Sequence, residues 1–326
     1  MIVVYSARYR IDIGLHVFPT RKYELVHARL IETGVIRPSQ VVEPEPVSWD
    51  ELALVHSPEY LAAMRDGAMT PGEIAQLELP WSQEMVDGFR LMTGGTVQAA
   101  LIACGLNTHN GTQRPQSAQS GMNDFSADSA SSAFNVACHI GGGLHHAFPS
   151  HGEGFCPFND VAVAARVLQR RGFERVAIVD LDVHHGNGTA FIFESDPRVF
   201  TFSMHQQHNY PMWKPRGSLD VGLPDGTHDA TFLRELDHAL PVVMAHDPQC
   251  VFYLAGADPY EDDQLGGLRL TREGLRARDR RVIDAVRRAG VPLVVTLAGG
   301  YARHVDDTVA IHAATVQEAA NAATVP

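Results

Sequence analysis

Cysteine is scarce in this sequence, and the few cysteines lie far apart. The 326 residues contain only Cys104, Cys138, Cys156 and Cys250, and no two of them form a CxxC pair. Such spacing is typical of reduced, buried thiols rather than of a disulfide framework. We therefore expect a protein of a reducing compartment, with a cytoplasmic location.

Basic residues and long apolar runs are also lacking. Lys and Arg number 26 against 38 Asp and Glu, a formal net charge of -12. This argues against nucleic acid as a partner, because phosphate binding needs clustered Lys and Arg, but it is compatible with a cationic substrate. No apolar run approaches the roughly 18 residues that span a bilayer, so we expect no membrane partner. The N-terminal MIVVYSARYR reverses the order of a signal peptide and is typical of a first strand.

The sequence does contain alternating apolar β-branched runs and helical patterns. The runs IVVY, FNVACHI, RVAIVDLDV, RVFTFSM, CVFYLAGA and VPLVVTLAGG lack polar alternation, which predicts strands of a parallel sheet covered on both faces. Helical patterns between them cover residues 21–34, 96–105, 160–172 and 271–290. This alternation predicts one α/β domain over residues 1–326.

One segment departs from this pattern. Residues 106–133 are dominated by Asn, Ser, Gln, Gly and Thr and cannot bury much surface. They predict a long polar loop insertion between a helix and the strand FNVACHI. Because the segment leads into the start of that strand, we expect it at the N-terminal edge of the sheet.

Unusual polar residues occur where four of the predicted strands end. RVAIVDLDV runs into HHGNGT, and FNVACHI runs into GGGLHHA. CVFYLAGA is followed by Asp258, and LVVTLAGG by Tyr301. Because sites in parallel sheets form beyond the carboxyl ends of the strands, we expect these side chains to converge.

The stretch VDLDVHHGNGT places charge at the end of a buried strand, which is costly unless the charge is paired or bound to a metal. Asp182 and His184 are two residues apart and share a face of an extended strand. With Asp258 as a third ligand they suit zinc and leave one position open, as catalytic zinc sites do. A DxH triplet alone is more often a helix-capping Asp beside a surface histidine.

The histidine pair and the tyrosine are ambiguous when each is considered alone. His145 and His146 follow three glycines, and beside a metal they would suit acid–base work, although most HH pairs are incidental. Tyr301 after two glycines could close an ordinary loop, but near a metal its phenol would be an oxyanion donor. His185 points to the opposite face from Asp182 and His184, and we expect it to pack or to hydrogen-bond the backbone.

In this order, GGGLHHA, GEGFCPFND, VDLDVHHGNGT, GADP and LAGGY resemble the zinc-dependent histone deacetylase family. The resemblance covers nearly the whole chain, and HVFPTRKY and LDVGLPDGT are most similar to class IV and its bacterial relatives. It implies a single arginase-like α/β domain with a central, mostly parallel eight-stranded sheet flanked by helices. It also implies a zinc-dependent lysine deacetylase or deacylase that uses metal-activated water and binds hydroxamate inhibitors.

The resemblance also assigns the reaction centre. The residues that match the zinc ligands are Asp182, His184 and Asp258. His146 matches the general base, and His145 its neighbour at the scissile amide. Asp180 matches the carboxylate that orients His145, and Tyr301 matches the tyrosine that polarises the carbonyl.

Further roles concern the relay behind the base, the substrate tunnel and a second cation. Asn187 lies where class I members have an Asp behind the second histidine. Gly154 and Phe155 match one wall of the tunnel that holds the lysine side chain, and Asn209 or Tyr210 would form the other. The residues that match a monovalent-cation site, expected to hold K+, are Asp180, Asp182, His184, Ser203 and Met204. The residues that match a peripheral cation site through their backbone are Phe193, Asp196 and Val199.

Three functions remain open. The protein could deacylate acyl-lysine in proteins or peptides, hydrolyse acetylpolyamines or other small amides, or bind acyl-lysine as a catalytically idle module. The idle module would have lost a ligand, the base or the tyrosine, and none is lost. We favour acyl-lysine, because residues 5–23 carry several basic residues against the single acid Asp12 and would repel a polyamine near the tunnel mouth.

Overall fold

Eight parallel strands form a central sheet in the computed structural model, which describes residues 1–106 and 135–324. The strands are β1 (Ile2–Val4), β2 (Val41–Val42), β3 (Val136–His139), β4 (Val176–Asp180), β5 (Val199–Gln206), β6 (Leu219–Leu223), β7 (Cys250–Leu254) and β8 (Leu293–Thr296). Their order across the sheet is β2-β1-β3-β8-β7-β4-β5-β6. The predicted α/β class and eight strands are confirmed, and all seven neighbouring pairs are parallel.

Within the described ranges, ten α-helices flank this sheet. They are α1 (Lys22–Glu32), α2 (Trp49–Leu52), α3 (Pro58–Asp66), α4 (Pro71–Leu77), α5 (Gln83–Ala103), α6 (Asp160–Arg170), α7 (Asn187–Phe193), α8 (Asp229–Met244), α9 (Arg272–Arg288) and α10 (Val305–Thr324). None of the helices in this part of the chain is long and apolar enough to cross a membrane.

The middle of the sheet follows directly from the apolar runs. Every residue of β3, β8, β7 and β4 is buried, as expected for strands covered on both faces. None of the apolar runs predicted β2 or β6, which are the two edge strands of the sheet. β2 has only two residues, and β6 alternates half-buried with exposed positions before its buried end. Neither edge strand therefore produces a continuous apolar run.

Helix α5 begins 13 residues before the predicted pattern at 96–105. Gly94 and Gly95 lie inside it, and glycine in a helix interior costs about 1 kcal/mol relative to Ala. A Cβ on Gly95 would lie 2.3 Å from both His139 Nε2 and the Tyr9 hydroxyl. These glycines therefore allow close packing. They also interrupt the helical pattern in the sequence, so the first part of α5 was not predicted.

The polar loop predicted at 106–133 falls almost entirely outside the described residues, so its place at the N-terminal edge stays a prediction. Helix α5 ends at Ala103, the described residues continue to Leu106, and they resume at Asn135, one residue before β3. The four cysteines are free, and all but the half-buried Cys104 are buried.

Candidate active site

The four strands whose ends carry the unusual residues are neighbours, β3-β8-β7-β4, at the centre of the sheet. Beyond their carboxyl ends lies a cavity of about 210 Å³. The candidate site residues that line it are His145, His146, Gly154, Phe155, Asp182, His184, Asn209, Tyr210 and Tyr301. The parallel topology thus brings together side chains that are far apart in the sequence.

Asp182, His184 and Asp258 form a buried cluster whose candidate ligand atoms all lie within 4.8 Å of one another. His184 Nδ1 lies 3.0 Å from Asp182 Oδ1 and 3.5 Å from Asp258 Oδ2. The remaining carboxylate oxygens accept backbone hydrogen bonds, from Gly299 N to Asp182 Oδ2 at 2.8 Å and from Val183 N to Asp258 Oδ1 at 2.9 Å. Asp258 Oδ2 is buried without a hydrogen-bond partner in the described residues.

The charges and the donor atoms of this cluster fit a metal cation. Burial, reinforced by the nearby charge of Asp182, raises the pKa of Asp258 to about 7. Burial acts against the charged form of His184, but its hydrogen bond with Asp182 and the charges of Asp182 and Asp258 raise its pKa to about 10. Two carboxylates and one imidazole that leave one side open to a cavity match the ligand set and open position of catalytic zinc. The unpartnered Asp258 oxygen fits this interpretation, because buried polar atoms are rarely left unsatisfied.

His145 is held by Asp180. Its Nδ1 lies 2.6 Å from Asp180 Oδ2, and Asp180 Oδ1 accepts the backbone N–H of Asp182 at 3.1 Å. Burial alone would lower the pKa of His145, but the carboxylates of Asp180 and Asp182 outweigh it and raise the pKa to about 9. His145 is therefore cationic at neutral pH.

His146 is the neutral member of the pair. Its Nε2 lies 3.1 Å from His145 Nε2, and its Nδ1 lies 2.7 Å from Asn187 Oδ1. Burial, together with the positive charges of His145 and His184, holds the pKa of His146 well below its usual range. Which nitrogen of the neutral His146 ring carries the proton depends on the hydrogen-bond partner of the other nitrogen.

Tyr301 is fixed through its backbone beside the buried cluster of candidate metal ligands. Its N–H donates to Asp263 Oδ2 at 2.7 Å, and its carbonyl accepts from Gln264 Nε2 at 2.8 Å. Burial, with the charges of Asp182 and Asp258, raises the pKa of the Tyr301 phenol well above its usual value. The hydroxyl therefore stays protonated and can donate a hydrogen bond at neutral pH.

Gly154 and Phe155 form a tight turn that carries one aromatic wall of the cavity. Both have positive φ angles, 54° and 66°, which is typical of the two central residues of a type I′ turn. A Cβ on Gly154 would lie 2.7 Å from the His146 ring, so this position requires glycine. The Phe155 ring lies 6.1 Å from the Tyr301 ring and 6.2 Å from the Phe18 ring, between centroids.

Either Asn209 or Tyr210, in the loop at 205–211, was predicted to form the second wall. The Asn209 amide is fully engaged, since Nδ2 donates to Gln206 Oε1 and to Leu265 O, both at 2.8 Å, and Oδ1 accepts from Tyr210 N. The Tyr210 ring stands nearly perpendicular to the His146 ring, with 5.0 Å between centroids. The geometry therefore favours Tyr210 as the wall and Asn209 as the residue that orients it.

Of the residues expected to hold K+, Asp180 ends β4 and Ser203 and Met204 lie in β5, whereas Asp182 and His184 also belong to the cluster with Asp258. Asp180 pairs with Ser203 in the register of β4 and β5, and Met204 follows Ser203. His185 packs on His205 as expected, but its Nε2 lies 3.2 Å from the carboxylate of Asp220 rather than bonding the backbone. K+ binding, here and at the peripheral backbone site, stays a prediction.

Two buried residues with ionisable side chains lie at the site but were not predicted from the sequence. Lys22 is fully buried, and its Nζ donates to Ala298 O at 2.9 Å. Burial lowers the pKa of Lys22 to about 8, although Asp258 and Asp182 act in the opposite direction. Asp263, which holds Tyr301, is also buried. A lysine in the first turn of an amphipathic helix, and an acid within DPYEDDQL, both resemble surface residues in the sequence.

The described residues that line the cavity do not form the expected basic entrance. Arg8 and Arg10 pair with Glu43 and Glu24, and Lys22 is buried beneath Ala298. Among the described residues that line the cavity there is no Lys or Arg, whereas the exposed Glu78 does line it. The lining residues that the structure describes therefore do not supply the positive charge that would repel a polyamine, and the expected preference stays a prediction.

Comparison with known proteins places this architecture in a family. A profile of the histone deacetylase domain matches residues 16–316. An uncharacterized protein of Picosynechococcus sp. is 41% identical over 299 residues, covering 91% of this chain and 90% of that protein. Histone deacetylase 2 of Arabidopsis thaliana is 31% identical over 314 residues, 92% of this chain and 74% of that protein. A probable deacetylase of Archaeoglobus fulgidus is 31% identical over 299 residues, 87% and 76% of the two chains.

Solved structures agree on the fold. An HDAC homolog complexed with SAHA superposes with a TM-score of 0.77 at 24% identity, covering 97% of this chain and 83% of that one. An HDAC homolog from Aquifex aeolicus gives a TM-score of 0.77 at 24% identity, covering 100% and 85%. With the domain match spanning most of the chain, the predicted resemblance is confirmed. The chain belongs to the histone deacetylase family of deacetylating hydrolases.

Proposed function

We propose that this protein is a zinc-dependent deacylase that removes acetyl or longer acyl groups from lysine side chains. The observation that carries the proposal is the buried cluster of Asp182, His184 and Asp258 at the floor of an aromatic-walled cavity. A cationic and a neutral histidine stand beside that cluster, together with a protonated tyrosine. These are the groups that amide hydrolysis requires.

Asp182, His184 and Asp258 would hold the zinc. When bound, zinc polarises the acyl carbonyl and lowers the pKa of a water molecule from 15.7 toward about 7. Asp258 Oδ2 has no other partner in the described residues, so it is free to serve as a ligand.

The two histidines divide the proton transfers. His146 is neutral and accepts the proton of the attacking water as the water oxygen bonds to the acyl carbon. His145 is cationic and donates a proton to the amine nitrogen as the C–N bond breaks. The carboxylate of Asp180, 2.6 Å from His145 Nδ1, stabilises that charge until the transfer. The products are the carboxylic acid and the amine, and return of the proton from His146 to His145 restores the starting state.

Tyr301 would donate a hydrogen bond to the oxyanion that forms on the acyl carbonyl oxygen. We expect Tyr301→Phe to keep the fold and the zinc but to lose about 10²–10³ in kcat, the usual cost of one oxyanion donor. Steady-state kinetics on an acetyl-lysine peptide, with metal analysis of the same sample, test this. Near-normal turnover in the variant would remove Tyr301 from the mechanism.

The tunnel suits the unbranched stem of lysine. Phe155 and Tyr210 present aromatic faces, and burying each methylene of the stem between them contributes about 0.8 kcal/mol. The histone deacetylase and the probable deacetylase among the relatives support a protein or peptide substrate. Acetylpolyamine is the second candidate, and the observation that favours it is the exposed carboxylate of Glu78 at the cavity mouth.

Acyl-lysine peptides should be hydrolysed with kcat/KM at least about tenfold above that for acetylspermidine. The expected ratio assumes that the peptide backbone makes contacts around the tunnel that a polyamine cannot make, and a tenfold ratio needs only about 1.4 kcal/mol of them. Purified zinc-loaded protein should be assayed with acetyl-lysine and longer acyl-lysine peptides and with acetylspermidine. Faster hydrolysis of acetylspermidine than of every peptide would establish the polyamine function instead.

Finer features belong to the same proposal. SAHA, the molecule complexed with one structural relative, is a hydroxamate, which supports hydroxamate inhibition of this protein. The pairing of Asp180 with Ser203 supports a K+ site, and free, mostly buried cysteines support a cytoplasmic location. Similarity of HVFPTRKY to class IV supports that branch.

A further inference from the structure

Glu153 lies between Asn187, which contacts His146, and Tyr210, the aromatic residue of the second cavity wall. It precedes the turn formed by Gly154 and Phe155, and its side chain is only 16% exposed. Oε1 accepts hydrogen bonds from Asn187 Nδ2 at 2.7 Å and from the Tyr210 hydroxyl at 2.9 Å. Oε2 accepts from Gln76 Nε2 at 3.2 Å. Glu153 does not itself line the cavity.

The carboxyl group of Glu153 is ionised in this environment. Burial would raise its pKa, but hydrogen bonds from His151, Asn187 and Tyr210 outweigh burial and lower the pKa. An ionised carboxylate only accepts hydrogen bonds. Both Asn187 Nδ2 and the Tyr210 hydroxyl must therefore donate to it.

This requirement determines which way the Asn187 amide points. An amide has a donor end and an acceptor end, and either could face His146 in the absence of other partners. Because the donor end is committed to Glu153, the acceptor Oδ1 faces His146 Nδ1 at 2.7 Å. His146 Nδ1 must then carry the ring proton, which leaves Nε2 unprotonated and facing the reaction centre.

We propose that Glu153 is a positioning residue that fixes the Asn187 amide and, through it, the tautomer of His146. The inference rests on the proposed function, in which His146 is the base. A carboxylate in place of the Asn187 amide would accept from His146 whichever way it turned, so the need for Glu153 arises from the Asn in this chain. The same Glu153 side chain anchors the Tyr210 hydroxyl and so holds that ring against His146.

Two replacements of Glu153 test the inference by kinetics. Glu153→Met keeps the length of the side chain but removes the acceptor, and we expect kcat to fall about tenfold or more, with a smaller rise in KM because Tyr210 loses its anchor. Glu153→Gln keeps an acceptor oxygen and should restore most of the lost kcat. The matched control is Glu51→Gln, which alters a glutamate that caps α2 through Ser48. Near-normal kcat for Glu153→Met, or equal losses for both Glu153 replacements, would overturn the proposal.

A double variant distinguishes action through Asn187 from a general structural role. In the Asn187→Asp background there is no amide left to turn the wrong way, and the introduced carboxylate and Glu153 would repel each other. Glu153→Met should therefore cost no kcat, or restore some, in that background. If Glu153→Met loses the same tenfold there, Glu153 does not act through Asn187.

A spectroscopic measurement keeps this inference separate from the proposed function. Zinc-loaded protein with 15N-labelled histidine, with the His146 signals identified by their loss in His146→Ala, reports which ring nitrogen carries the proton. We expect protonated Nδ1 in the wild type and a mixture of tautomers in Glu153→Met. An unchanged tautomer would contradict the role of Glu153 even in active enzyme. Wild-type protein inactive on every acyl amide would instead contradict the proposed function, while the tautomer still tests Glu153.

Discussion

Asp258→Asn is expected to remove both the zinc and all measurable turnover. Asp258 Oδ1 accepts the Val183 N–H at 2.9 Å, and the oxygen of Asn can replace it there. The amide nitrogen would then take the place of Oδ2, the oxygen without a partner in the described residues, and an amide nitrogen is not a zinc ligand. The variant should therefore fold with two ligands left, too few to retain the metal.

The matched control is Asp262→Asn, because Asp262 lies on the same loop but pairs with Arg303 at the surface. Metal content, turnover of an acetyl-lysine peptide and thermal unfolding should be measured for both variants. We expect Asp262→Asn to match the wild type in all three. Full zinc content and normal turnover in Asp258→Asn would exclude Asp258 as a ligand.

His146→Ala is expected to lower kcat by about 10²–10⁴, the usual contribution of general acid–base catalysis. His146 is not a metal ligand in this account, so zinc content should be unchanged, and KM should stay within a few-fold because the tunnel walls remain. The reason for the loss is that no other described group near the water position is both neutral and free to accept a proton, since Asp180 holds His145 cationic with a pKa of about 9.

His238→Ala is the control for this prediction, since His238 lies on the exposed face of α8. The measurement is kcat and KM at saturating zinc for the two variants and the wild type. A loss below threefold in His146→Ala would assign the base to another group. A loss of zinc in His146→Ala would show that its effect passes through the metal instead.

The centre of the fold was predictable because its strands are buried on both faces. β3, β4, β7 and β8 appear in the sequence as unbroken apolar runs. The edge strands β2 and β6 were not predicted, since burial on only part of their surface leaves no such run. Helix α5 was found only in part, because Gly94 and Gly95 serve close packing at the expense of helix propensity.

The candidate site was predictable where chemistry and topology coincide, at the carboxyl ends of four strands. The supporting residues were not predictable, because their roles depend on contacts between distant segments. Lys22 contacts Ala298 O, 276 positions away, and Asn209 is oriented by Leu265 O, 56 positions away. Glu153 lies within the quoted motif GEGFCPFND, yet only the structure shows that it joins Asn187 to Tyr210.

The measurement that tests the central claim most directly is zinc reconstitution of the metal-free wild-type protein. The protein should be stripped with a chelator, shown to be folded, and titrated with zinc while hydrolysis of an acetyl-lysine peptide is followed. We predict no activity in the stripped protein and a linear rise to a plateau at one zinc per chain. Full activity in the folded, metal-free protein would contradict the account.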